Sequence, residues 1–160
     1  MGNSWSYAPN DQYKPTQELV KKLVDIVSKG GNYLLNIGPG PDGEFAAAAY
    51  ERLKDIGKWM KINGEGIYGT RMNKVFGEGE NIRFTKSKDG NTQFIFLFAF
   101  PETGKVNISK IDIPAGAKLT MLGGKKNLKW KKTEAGYEIT IPAEMKASSE
   151  WAWAVKVTSH

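Results

Sequence analysis

Over residues 16–29 the apolar side chains recur at helical spacing. Leu19, Val20, Leu23, Val24, Ile26 and Val27 form one broad stripe, which predicts an amphipathic helix packed against a large surface. Pro15 suits its first turn, Glu18 complements the positive end of the helix dipole and Lys29 the negative end. Gly30 and Gly31 can supply the left-handed cap that ends it. Residues 33–37, Tyr-Leu-Leu-Asn-Ile, are nearly unbroken apolar sequence and predict a short strand covered on both faces. The Gly/Pro loop after it leaves the carboxyl end of that strand, where α/β folds place their ligands. A second helix is expected over residues 46–63, with Phe45, Ala49, Leu53, Ile56 and Met60 on one face and Gly64 as its C-cap. A single strand buried on both faces cannot satisfy its backbone without neighbours. The first 71 residues offer no second strand, so this region reads as the last portion of a repeated β/α domain whose earlier units lie upstream.

After Arg71 the period changes from helical to alternating. Residues 81–86, 92–100, 105–113, 119–122, 128–132, 137–141 and 151–157 are strand-like runs. Turn signals separate them, among them Lys88-Asp89-Gly90, Pro114-Ala115-Gly116 and Glu134-Ala135-Gly136. Phe94, Phe96 and Phe98 alternate with Ile95, Leu97 and Ala99, so that strand is apolar on both faces and central. About seven short antiparallel strands predict a small β-sandwich. The boundary between the two regions falls near residues 68–75, and there is no internal repeat.

Composition narrows the chemistry. The 160 residues suffice for one good core or two small ones. No apolar run approaches the roughly 18 residues of a membrane span, and no basic start with an apolar stretch resembles a signal peptide. With no cysteine and a single histidine, His160, disulfides, thiolate zinc sites, Ser/His triads and multi-histidine metal sites are excluded. No cofactor and no metal is expected. The net charge of +6 is uneven, since the part from Met72 onward carries fourteen basic against nine acidic residues. Its densest cluster is Lys125, Lys126, Lys129, Lys131 and Lys132. Such a cluster can form a nucleic-acid or anionic-surface patch, or a solvated hairpin edge that discourages strand aggregation. No nucleic-acid motif accompanies it, so the second reading is adopted, with neither a nucleic-acid nor a membrane partner.

Gly38-Pro39-Gly40-Pro41-Asp42-Gly43 matches the outline of a dinucleotide-binding loop after a strand. Pro39 and Pro41 have no N–H to offer a pyrophosphate, and no second parallel strand follows, which argues against nucleotide binding. Asp42 and Glu44 stand where catalytic acids could, but also suit a turn and a helix N-terminus. Trp5 and Tyr7 precede a helix whose next strand is central, which places them on a loop at the ligand-binding end of a β/α fold. An exposed aromatic there can stack on a flat or apolar ligand face such as a sugar, or can pack the loop onto the rim. Asn36, near the carboxyl end of an apolar strand, suits a hydrogen bond holding rim loops. Trp151 and Trp153 alternate as one face of the last strand would and are assigned to the sandwich core, with a carbohydrate-binding platform as the lesser alternative.

The segment from Leu23 through Gly30-Gly31-Asn32-Tyr33-Leu34-Leu35-Asn36-Ile37-Gly38-Pro39 closely resembles the end of the catalytic barrel in α-L-fucosidases of glycoside hydrolase family 29. The resemblance continues through Asp42-Gly43, Glu51-Arg52-Leu53, Ile56-Gly57-Lys58-Trp59-Met60 and Asn63-Gly64-Glu65 to Ile67-Tyr68-Gly69-Thr70-Arg71. Met1-Gly2-Asn3-Ser4-Trp5-Ser6-Tyr7 resembles the loop after the penultimate barrel strand. Gly40 and the alanine run at residues 46–49 depart from the commoner family forms. The resemblance implies α/β plus all-β architecture: the last helix-strand-helix portion of a (β/α)8-type barrel over residues 1–71, then an antiparallel β-sandwich over residues 72–160. It also implies a retaining exo-glycosidase acting on terminal α-L-fucosyl linkages of glycans, with an aspartate nucleophile and a glutamate acid/base. Both belong to earlier barrel strands, so no catalytic residue is expected in this chain and the fragment alone should be inactive. Substrate-binding residues carried over are Trp5, whose ring suits the C6 methyl of fucose, and the neighbouring Tyr7. A homo-oligomer stays open. The alternative is a carbohydrate-binding or structural β-sandwich module without hydrolase activity.

Overall fold

The computed structural model describes residues 1–159. Two helices, α1 (Thr16–Ser28) and α2 (Ala47–Asn63), precede eight strands. These are β1 (Thr70–Glu78), β2 (Ile82–Ser87), β3 (Thr92–Leu97), β4 (Lys105–Ile108), β5 (Lys118–Met121), β6 (Lys129–Thr133), β7 (Gly136–Thr140) and β8 (Trp153–Thr158). They form a five-stranded sheet in the order β1-β2-β3-β8-β5 and a three-stranded sheet in the order β4-β7-β6, every pairing antiparallel. Ile95, Leu97, Val155 and Val157 of the larger sheet meet Ile108 and Ile139 of the smaller one in a dry core, as a sandwich requires. The predicted β-sandwich is therefore present.

Alternation along β3 and β8 gives the larger sheet a second apolar face. Phe94, Phe96 and Ala154 point away from the sandwich core, toward Val20 and Val24 of α1 and Trp59 of α2. Trp59 also donates its indole N–H to the Ala152 carbonyl at 2.9 Å, which spares a polar atom in that packing. Val20, Leu23, Val24 and Val27 of the α1 stripe are thus covered by the sheet, while Leu19 packs with Met1 and Ala49 instead, and α2 keeps Leu53 and Ile62 more than a third exposed. α1 ends as its glycines predict. Gly30 takes φ +81°, its N–H donates to Val27 O, and Gly31 N–H donates to Ile26 O, which together make a Schellman cap. Gly64 follows α2 but stays right-handed and begins a further tight turn, Gly64–Gly66.

The strand expected at residues 33–37 is not formed. Leu35 and Ile37 pack beside Leu19 and Ala49, but Leu34 is 81% exposed and no ladder flanks the segment. Strand structure needs a neighbouring strand, and none pairs with it among the described residues; the Met1 amino group alone donates to the Asn36 carbonyl, at 2.6 Å. β1 is an added element that the pattern did not predict, because its polar and apolar residues alternate poorly and a bulge interrupts it between Met72 and Gly77. Trp151 and Trp153 also part company. Trp153 begins β8 and packs on the sandwich core, whereas Trp151 precedes the strand and packs on the helix side.

The lysine cluster lies on and beside the outer face of the small sheet. Lys131 and Lys105 both reach Glu138, at 3.2 and 3.3 Å, and Lys126 approaches Glu144 at 3.7 Å. The single histidine, His160, lies outside the described residues.

An ion pair ties α1 to the sheet. Arg83 of β2 donates from Nε to Asp25 of α1 at 2.6 Å, and Lys29 reaches the other oxygen of the same carboxylate at 2.6 Å. The Arg83 guanidinium lies between the rings of Phe76 and Phe98, 5.6 and 5.2 Å from their centres. Burial pushes the Asp25 carboxyl up, but the hydrogen bonds and charges of Lys29 and Arg83 outweigh it and hold it below the ordinary carboxylate value. Asp25→Asn is therefore expected to cost about 2 kcal/mol of unfolding free energy at neutral pH, read by urea denaturation. Because the folded pKa is the lower one, this stability is present above the unfolded carboxyl's pKa of about 3.9 and is lost as pH falls through the folded value. The two stability curves should converge in acid; curves that stay parallel would rule the ion pair out as the cause.

Candidate functional site

The loop that carries Trp5 is shaped by hydrogen bonds to its own backbone. Asp11 accepts from the Asn3 and Ser4 N–H groups at 2.8 and 3.3 Å, and Lys14 Nζ donates to Gly2 O at 2.9 Å. The Asn3 N–H, chiefly, holds the Asp11 carboxyl below its usual range. Asn36 Nδ2 donates to the Trp5 carbonyl at 2.7 Å, so this asparagine holds the Trp5 loop to the segment after α1. Gly38 closes the arrangement. A Cβ there would lie 2.5 Å from Tyr7 N, so only glycine lets the two loops approach this closely.

These contacts leave the Trp5 indole 79% exposed. With Ser4, Lys14, Lys22, Tyr33 and Leu34 it lines an open hollow of about 290 Å³. Burial raises the Tyr33 phenol above its ordinary value, which keeps it a neutral hydrogen-bond group. No carboxylate lines this hollow. It can therefore present an aromatic face, hydroxyls and ammonium groups to a ligand, and the pair of carboxyl groups most glycosidases use is not part of its lining.

Tyr7, 41% exposed, faces a different hollow, of about 330 Å³, between residues 7–13 and the Gly/Pro loop. The structure thus does not bring the two predicted aromatics into one pocket. The carboxylates near Tyr7 are occupied locally. Asp11 serves the Asn3 and Ser4 N–H groups, Asp42 accepts from the Glu44 N–H at 3.1 Å, and Glu44 accepts from the Tyr50 hydroxyl at 2.6 Å. That last bond raises the Tyr50 pKa. Asp42 and Glu44 are turn and helix-entry residues in this geometry. The Gly/Pro loop also closes on itself: Gly40 N–H donates to Glu44 O at 2.7 Å and Gly43 N–H to Gly40 O at 2.9 Å. Those N–H groups are consumed, so the loop is no phosphate cradle. Among the described residues, no three of His, Cys, Asp and Glu gather as a metal site would need.

Asp11 is the organising residue that sequence reasoning did not single out. Its work lies in backbone contacts seven and eight residues back, which no periodic pattern encodes. Gly38→Ala is expected to cost about 1–3 kcal/mol by forcing the two loops apart. Limited proteolysis should then cut residues 1–13 faster while β1–β8 stay resistant; equal cleavage of both proteins would show that the loop does not depend on this approach.

Comparison with known proteins places this arrangement. The family model for Alpha-L-fucosidase matches residues 1–65, and that for the Alpha-L-fucosidase C-terminal domain matches residues 78–158. The chain is 34% identical over 161 residues to human tissue α-L-fucosidase and 37% identical over 163 residues to the rat enzyme, in each case across 97% of its own length. It spans about a third of those relatives, 34% and 35%. The crystal structure of Thermotoga maritima α-fucosidase in complex with a mechanism-based inhibitor superposes with a TM-score of 0.89 at 30% identity, over 99% of this chain and 38% of that one. With its sandwich, its helices and its Trp5 loop all matched, this chain belongs to the α-L-fucosidase family and corresponds to the C-terminal part of its members.

Proposed function

We propose that this chain completes the substrate pocket of an α-L-fucosidase, a retaining glycoside hydrolase that removes terminal α-L-fucose from glycans. In this reading Trp5 contacts the sugar, and the nucleophile and acid/base come from the part of the enzyme that this chain does not span. The observation that carries it is the Trp5 indole, held far out of the surface by a loop fixed from Asp11, Asn36 and Gly38. Trp5 and Leu34 line one hollow, and exposed apolar surface gathered in one place supports a ligand or partner surface there. An apolar ring suits the C6 methyl of fucose, and Tyr7 borders the same loop from its own hollow.

The proposal extends to the fold. Residues 1–71 are taken as the last helix-strand-helix portion of a (β/α)8-type barrel and residues 72–160 as the sandwich domain. Leu34 supports this, because an apolar residue 81% exposed in an unladdered segment suits a strand awaiting neighbours on both sides.

Two measurements test the reading. The 160-residue chain should show no turnover of an aryl α-L-fucoside above a blank, and turnover would overturn the assignment of the catalytic residues elsewhere. In an enzyme of full family length, Trp5→Ala should lower kcat/KM about ten-fold or more, and an unchanged value would remove Trp5 from the pocket. The fold is checked by hydrogen exchange: backbone amides of residues 33–37 should exchange rapidly in this chain and be protected in the longer enzyme.

A further inference from the structure

Trp151 has an unusual backbone. Among the described residues it is the one non-glycine with a positive φ, +60°. The Ala152 N–H donates to Glu150 O at 2.6 Å across it, which makes Trp151 the centre of a γ-turn of the strained, positive-φ kind. Bulky side chains rarely adopt this conformation, and where it persists the surroundings over-determine it. Here they do. Ser149 is buried, accepting from Asn63 Nδ2 at 2.9 Å and donating to Ala152 O at 2.8 Å, so the chain is fixed on both sides of the turn.

The turn changes which side of the sheet the indole meets. Along β8, Trp153, Val155 and Val157 face the sandwich core, and simple alternation would send residue 151 the same way. The γ-turn sends Trp151 to the helix side instead, beside Trp59 and Ala152. There the partly exposed indole lines a hollow of about 310 Å³ between α2 and residues 147–151. Lys58, Ile62 and Glu150 line the same hollow. Ile62 is 39% exposed and gives it an apolar wall. Glu150 is exposed and makes no ion pair among the described residues, so both its oxygens can accept from hydroxyls.

We propose that this hollow is a second saccharide subsite, taking one neutral pyranose ring against the Trp151 indole with Glu150 and Lys58 on its hydroxyls. A ring with an apolar face and a polar edge matches an aromatic wall beside a carboxylate and an ammonium at the rim. The volume is at the lower end for small-ligand sites and suits one sugar unit. None of its lining residues belongs to the Trp5 hollow, so it takes a second sugar unit apart from the one proposed for Trp5. The strained turn keeps the ring in its binding position before the ligand arrives. The choice of a sugar as ligand rests on the fucosidase reading; the geometry of the hollow does not.

The test is a titration of the 160-residue chain with methyl β-D-galactoside and, separately, methyl α-L-fucoside, followed by amide shifts in two-dimensional NMR. Saturable shifts at Lys58, Ile62 and residues 148–152 are expected with either or both sugars, with a dissociation constant of about 1 mM. Trp151→Ala should weaken binding at least about ten-fold. Glu150→Gln, an exposed change that leaves packing alone, should weaken it about three- to ten-fold. Trp5→Ala should leave it unchanged. The proposal is overturned if neither sugar shifts these amides, if shifts occur only around Trp5, or if binding here survives Glu150→Gln and a folded Trp151→Ala undiminished. Loss of the shifts in Trp5→Ala would merge the two sites and overturn it as well. Fucoside turnover by the enzyme of full family length reports on the Trp5 reading alone.

Discussion

The centre of the larger sheet, β3 with β8, is buried on both faces, and the rest of the molecule follows from that. β3 sends Ile95 and Leu97 into the sandwich and Phe94 and Phe96 into the helices, so one strand supplies two cores at once. A sheet with two apolar faces must be covered on both, or it exposes aromatic surface to water. The three-stranded sheet covers one side and α1 with α2 covers the other. The Asp25–Arg83 pair, Trp59 on Ala152 O and the Lys156–Glu65 pair then fix the helices in one position on the sheet. This placement also sets the position of the Trp5 loop, which is tied to α1 and to the segment after it.

Much of this was legible in the sequence because it is periodic. The stripe around Val20 and Val24 predicted α1 and a large partner, and the two-faced alternation around Phe94–Phe98 predicted a central strand; that this strand is the partner of that helix was not read from the sequence. Gly30 and Gly31 marked their cap correctly for a local reason: only a residue without Cβ sits easily at φ +81°. What was not legible depends on long-range partners. Residues 33–37 have the composition of a doubly buried strand, but strand structure belongs to a pair of segments and not to one. β1 was missed for the opposite reason, since a bulged edge strand is specified by its neighbour β2 more than by its own alternation.

The candidate site divides along the same line. Trp5 could be located by its place before a helix, and Asn36 by its polarity in an apolar run. Asp11 and the γ-turn at Trp151 could not, because each is defined by backbone hydrogen bonds that leave no pattern in the side chains. Alternation even assigned Trp151 to the wrong side of the sheet. Local rules fail at strained positions in general, and Trp151 is one of them.

The shared sheet also bears on how this protein can be divided. The β-sandwich has its own core and matches a family domain, which suggests a unit that could be excised after Arg71. Cutting there would strip α1 and α2 from Phe94, Phe96 and Ala154 and leave Arg83 without its carboxylate. The excised piece would carry a broad aromatic surface beside an open sheet edge, a combination that favours self-association. A well-behaved form of the sandwich therefore has to keep α1 and α2 with it, although they lie before the change of sequence pattern.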